Sequence, residues 1–183
     1  ANSLLPSRDP ALMTDPTLAR MAALTEGWQQ AGDRRAIFLE CYALMTANML
    51  EAVQAGRFHD SAWVSALLHH FAGYYFAALT AYEQGGHSIP VVWQIAHDAA
   101  GQDNLLALQH LLLGVNAHIN FDLVFAEADL LAPDWAELPA GPRQQRYADH
   151  CQVNQIIAET IDAVQDNVLA ISGACPASAG SNR

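Results

Sequence analysis

Residues 104–126, NLLALQHLLLGVNAHINFDLVFA, limit what this chain can become more than any other stretch. On a helical wheel, at about 100° per residue, the leucines, valines, isoleucine and phenylalanines leave no polar face. Yet the run also carries Gln109, His110, Asn116, His118, Asn120 and Asp122. A helix that is apolar all round is expected to be buried, and its polar side chains with it. Burial without a partner is costly for an amide or an imidazole, and far more so for a carboxylate. Each of these groups then requires a hydrogen bond, a counter-charge, a metal or a substrate. Function is therefore sought on this helix.

Helical spacing sorts the polar groups into two sides. His118 and Asp122 are four apart and share a face; Asn116 and Asn120 form a second such pair, about 160° around. His110 lies about 80° from His118, and Gly114 faces the same sector. A glycine in mid-helix costs about 1 kcal/mol against alanine, so a close approach by another helix or a ligand is expected there. The His118/Asp122 pair has three readings. It is a structural pair joining helices, an acid–base pair, or two ligands of one divalent metal such as zinc. The metal reading needs further ligands, for which His69, His70, His97, Asp98 and His150 are the candidates. Helical zinc-dependent phospholipases and nucleases use His-x3-Asp pairs, and HINFD resembles one locally. Those enzymes need a second His-x3-Asp/Glu pair, which this chain lacks.

Composition removes other classes. The net charge of −11 argues against nucleic acid or an anionic membrane as partner. All eight basic residues are arginine, which excludes a lysine Schiff base, a P-loop lysine and a Ser-Lys dyad. Cys41, Cys151 and Cys175 form no CxxC motif; the first two sit in helical patterns and read as small core residues. No GxSxG, SxxK, HExxH or GxGxxG occurs. The 104–126 run is long enough to span a bilayer, but four polar groups at spacing two oppose that. The first residues show no intact signal peptide, so the expectation is a soluble, cytoplasmic protein, with a processed start left open.

The rest of the chain reads as helices throughout. Asp15-Pro16 opens one over 16–30, Asp33 caps one over 34–55, and Asp60 caps one over 61–84, before Gly85-Gly86. The third carries an aromatic face with Tyr74 and Tyr75. Ser88 is expected to cap a short helix over 90–100 containing Trp93, and Asp103 to cap the central helix. Residues 127–142 hold three prolines and read as a long loop. A last helix covers 143–171, and 173–183 reads as a flexible tail. The expected architecture is all-α: about six helices in one domain (1–172), wrapped around a buried central helix.

The segment LQHLLLGVNAHINFDL (108–123) resembles the signature of an uncharacterised bacterial family, L-Q-x-L-L-x-G-M-N-A-H-I-N-x-D-L. The flanks fit too, in the Tyr-Phe-x-Ala-Leu run at 75–79, in Trp93, and in Asp149 with Val153-Asn154. Val115 and Val124 depart from the pattern. The resemblance implies that Asn116, His118, Asn120 and Asp122 belong to one shared motif, and it carries no activity with it.

The favoured expectation is a cofactor-independent enzyme acting on a small apolar molecule by isomerisation, cyclisation or hydrolysis. His118 and Asp122 would be catalytic, with Asn116, Asn120, Tyr74, Tyr75, Trp93 and His110 lining the substrate. In the metal-dependent alternative, His118, Asp122, His69 and His70 hold the ion. In the non-enzymatic alternative, the polar network fixes helix register in a binding or scaffold module. Oligomeric state is left open.

Overall fold

The computed structural model describes residues 14–173 except 87 and 134, with side chains to 161. The helix starts follow the local chemistry. The Asp15 carboxylate accepts from the N–H groups of Thr17 and Leu18 ahead of α1 (Pro16–Ala31), and Pro16 occupies the first turn. Gly32, at φ 69°, closes α1 in the left-handed conformation that glycine adopts without strain. The Asp33 side chain accepts from the Arg35 N–H where α2 (Arg35–Gln54) begins. Asp60 caps α3 (Ser61–Glu83) by accepting from Trp63 N–H.

Three expectations change in the second half. The short helix α4 (Val91–Ala100) is entered through Pro90 with no side-chain cap, so Ser88 does not fill that role. The central helix begins at Ala107, three residues later than expected. Asp103 is drawn to Arg34 at 2.7 Å, and the Gln109 side chain turns back to the Leu106 N–H at 2.8 Å. The helix then runs as α5 (Ala107–Ala117), a π turn (His118–Asp122) and α6 (Leu123–Leu131). In the π turn the Leu123 N–H bonds to the His118 carbonyl, five residues back. The expected loop shrinks to 132–139. Of its three prolines only Pro133 follows a helix end. Pro139 and Pro142 sit at the start of α7 (Ala140–Gly173), where a missing N–H is harmless. The expected tail, apart from Gly173, and Cys175 lie outside the described residues.

The architecture is all-α, and the described residues contain no strand. α1 and α7 pack on α2, α5 packs between α2 and α4, and the π turn and α6 rest on α3. The core is aromatic at its centre, where Phe38, Tyr42, Tyr75 and Trp93 are all buried. α2 is also long and apolar enough to cross a membrane, but most of its residues are packed inside the bundle. The central helix is not buried all round, contrary to the wheel. Its inner side holds His110, Gly114, Ala117, His118, Asp122 and Ala126; its outer side leaves Leu108, Leu112, Asn116, Asn120 and Val124 exposed. Gly114 confirms a close approach, and the neighbour is α2. A Cβ there would run into the Phe38 side chain.

Candidate functional site: a buried imidazole at a π turn

The π turn carries both members of the His-x3-Asp pair inward. His118 and Asp122 are 3% and 1% exposed at the side chain, and His118 Nδ1–H donates to Asp122 Oδ2 at 2.9 Å. The Trp93 indole N–H donates to both Asp122 oxygens, at 3.0 and 2.9 Å. The carboxylate is thereby held by α4 and by its own helix together. It accepts the Nδ1 proton of His118, so Nε2 carries a lone pair. Burial holds the His118 imidazole below its ordinary pKa, outweighing the opposite pull of Asp122. The ring is neutral at pH 7 in one fixed tautomer.

Aromatic rings enclose it. Phe71 lies parallel to the imidazole, 3.6 Å between centroids and 8° between planes, and Tyr42 meets it edge-on at 4.1 Å. Phe38, Trp93 and Tyr75 complete the shell at 5.7, 6.1 and 6.2 Å. On one side this shell opens into a cavity of about 70 Å³ between α2, α3, the π turn and α7. Its wall is almost wholly apolar, with Met45, Met49, Leu67, Ile119 and Val153 among the lining residues beside Tyr42, Thr46, Phe71 and His118. Three polar atoms from that lining stand out: His118 Nε2 meets no hydrogen-bond partner, and the Tyr42 and Thr46 hydroxyls meet none beyond each other. Burial and the nearby Asp122 charge push the Tyr42 phenol well above its ordinary pKa, so it stays protonated and able to donate.

The other expected site residues separate into groups. Trp93 belongs to the site, but it supports Asp122 and does not line the cavity. Tyr75 packs at 5.1 Å from Trp93, and burial pushes its phenol upward. His110 is buried with both ring nitrogens unpaired. It lies on the far side of Trp93, in a small cavity of about 20 Å³ with His97, Tyr75 and Arg34. Asn116 and Asn120 are not buried partners: they bond each other at 2.8 Å on the exposed face. Tyr74 is also elsewhere, donating to Asp129 at 2.6 Å.

The proposed extra metal ligands do not converge. His69 Nδ1–H donates to the Ser65 carbonyl at 2.7 Å, and its Nε2 pairs with Asp15 at 2.9 Å. Burial lowers the His69 pKa, but the Asp15 and Ser65 bonds outweigh it and hold the pKa above its ordinary value. His70 pairs with Asp129 at 2.9 Å. Asp122 already meets Trp93 and His118, and no group of three or more His, Cys, Asp or Glu side chains converges among the described residues. His118 thus offers one free nitrogen, while both Asp122 oxygens already accept hydrogen bonds.

Burial also sets apart several polar groups and the cysteines. His97 is buried, with burial and then the Arg35 charge pulling its pKa down to about 4. Asp149 is 1% exposed and accepts from the backbone N–H groups of His59 and Asp60, each at 2.8 Å. Cys151 is exposed and Cys41 half-buried, so neither is a core residue. Tyr42 and Thr46 were missed as site residues, although with Met45 and Met49 they form a stripe at spacings of three and four on α2. That stripe was visible in the sequence; what it faces was not.

The fold and site together define an all-α bundle in which one of several buried imidazoles, His118, is fixed by a carboxylate at a π turn. The chain belongs to a family of unknown function, DUF5995, whose model matches residues 14–180, in agreement with the resemblance to an uncharacterised family. No curated protein and no solved structure matches it.

Proposed function

We propose that this protein is a cofactor-independent enzyme that moves a proton within a small, largely apolar molecule. His118 Nε2 serves as the base. The supporting observation is that Nε2 is a buried lone pair with no protein partner, while Nδ1 is committed to Asp122. A buried acceptor left unsatisfied costs about 1–3 kcal/mol, a cost relieved when a ligand donates to it. Asp122 orients the ring and compensates the imidazolium formed when Nε2 takes a proton, the role of the carboxylate in hydrolytic triads. The Tyr42 and Thr46 hydroxyls are the donors available to a substrate oxygen that gains charge. Returning the proton to a second carbon completes an isomerisation with no net loss or gain of atoms.

The cavity sets the size of that molecule. At about 70 Å³ it is near half the roughly 150 Å³ of an apolar protein cavity that admits benzene. Met45 and Met49 in its wall have the rotational freedom to widen it. The substrate class is therefore a compact carbon acid with one polar end.

Nitroethane is a suitable probe, and its hydrogen–deuterium exchange in D2O is followed by proton NMR. Wild-type protein should accelerate exchange well beyond His118→Asn, by roughly 100-fold or more for a positioned base. Equal rates, with His118→Asn still folded, would refute the reading. They would favour a structural network in a binding module, a role that the Trp93–Asp122 bonds also fit.

A further inference from the structure

We propose that this chain forms a two-fold symmetric homodimer through the outer face of α5 and α6. Five large apolar side chains stand out along these helices: Leu106 just ahead of α5, Leu108 and Leu112 on it, and Val124 and Phe125 on α6, at 45–70% exposure. α4, packed beside α5, adds exposed Val91 and Ile95. Summed at those exposures, the seven residues present roughly 700 Å² of surface, a large apolar exposure for elements packed side by side. Roughly 800 Å² per partner is what a stable protein interface covers.

Charge argues that the occupant is a second copy. The chain carries a net charge of −11, so two copies repel over most of their surfaces. Residues 104–126 contain one acidic group, Asp122, and two imidazoles, His110 and His118, and all three are buried. No charged side chain reaches the surface along that stretch, and the exposed carboxylates of Asp98, Asp103 and Asp129 stand at its margins, so the centre of the face can meet a second copy without opposing like charges.

The stripe's polar centre is self-complementary. Leu108, Leu112, Asn116, Asn120 and Val124 follow one another at four-residue spacing, all exposed. Asn120 donates to Asn116 within the helix, which leaves Asn116 amide hydrogens and the Asn120 carbonyl oxygen pointing to the surface side of the pair. Across a two-fold axis, Asn116 of one copy donates to the second copy's Asn120, and the reverse contact follows by symmetry. Asparagine pairs within an apolar seam are a known means of fixing register.

Sedimentation velocity on the full chain across a range of concentrations tests this. The wild type is expected to sediment as a dimer. Leu112→Asp and Asn116→Asp should raise the dimer dissociation constant at least roughly 100-fold, because each places like charges across the axis. Gln144→Asp, an exposed change on α7, should leave it unaltered. Circular dichroism verifies that each variant folds. Should Leu112→Asp fail to fold, hydrogen exchange of the wild type still decides, since dimerisation predicts concentration-dependent protection confined to 91–95 and 106–125. A monomer at every concentration overturns the proposal, whatever else the face is then found to bind. A dimer indifferent to both aspartates overturns it equally.

Discussion

Two histidine–aspartate pairs in this molecule look alike on paper. His118–Asp122 and His70–Asp129 both close at 2.9 Å, and in each the carboxylate takes a further bond from an aromatic donor, Trp93 in one and Tyr74 in the other. Their surroundings differ. The first pair is 3% and 1% exposed, the second 41% and 49%. In the exposed pair, water competes for every bond, and the pair is an ordinary surface contact worth little. In the buried pair each bond replaces one to water that is no longer available, so the tautomer is fixed and the spare nitrogen has nothing to meet. Burial, not bond length, separates a candidate base from a surface contact.

Removing the carboxylates should break the resemblance most sharply. Asp122→Ala strands two buried donors, the Trp93 indole N–H and His118 Nδ1–H. Denaturant unfolding should show a loss of about 3–5 kcal/mol. Asp129→Ala should leave the midpoint unchanged. Equal effects from the two would mean that burial does not distinguish the pairs.

Acid should act next, and on the buried imidazoles. His118 and His97 have folded pKa values below the ordinary 6.5, with His97 near 4. Below pH 6.5 the unfolded chain therefore binds protons that the folded chain refuses. Their stabilisation is full above about pH 6.5 and is lost as pH falls toward the folded values. For His97 the loss amounts to about 3 kcal/mol by pH 4. Urea unfolding of His97→Gln at a series of pH values leaves the His118 share, and nitrogen-15 NMR of the imidazoles should show His118 titrating below pH 6.5. Protonation of His118 at or above pH 6.5 would contradict the fixed-tautomer account.

Removing the aromatic donors should have the smallest effect. Trp93→Phe deletes one buried hydrogen bond and leaves Asp122 with a single partner, costing about 1–3 kcal/mol. Tyr74→Phe should produce no resolvable change in the same melt. If the tryptophan change is equally silent, the indole bond is not what holds the carboxylate.

Helix ends marked by short-range chemistry were legible in the sequence: Asp15-Pro16 and Asp60 each announce a boundary through a bond or a backbone angle that the residue itself dictates. The pairing of His118 with Asp122, and the separation of Asn116 and Asn120 from them, followed from spacing alone. Burial was not legible. A wheel reports that leucines lie on every side of 104–126, not which side has a neighbour, and Leu108 and Leu112 remain bare. Asp149 illustrates the reverse case, since an aspartate on a polar helix gives no hint that two backbone N–H groups from the start of α3 will close over it. The cavity needs residues from α2, α3, the π turn and α7 together, a tertiary fact that no local pattern encodes.

The π turn has one more consequence, for the length of the chain. Such a turn holds one residue more than the same stretch of α-helix would, and every position after Leu123 keeps its direction by counting that extra residue. Were 118–122 to become regular α-helix with all five residues kept, α6 would turn by about 100°, Ala126 would leave the core and an exposed neighbour would replace it. Loss of a single residue from the turn would instead let the helix become regular with α6 still facing the same way. At this turn the number of residues is as much a part of the structure as their identity.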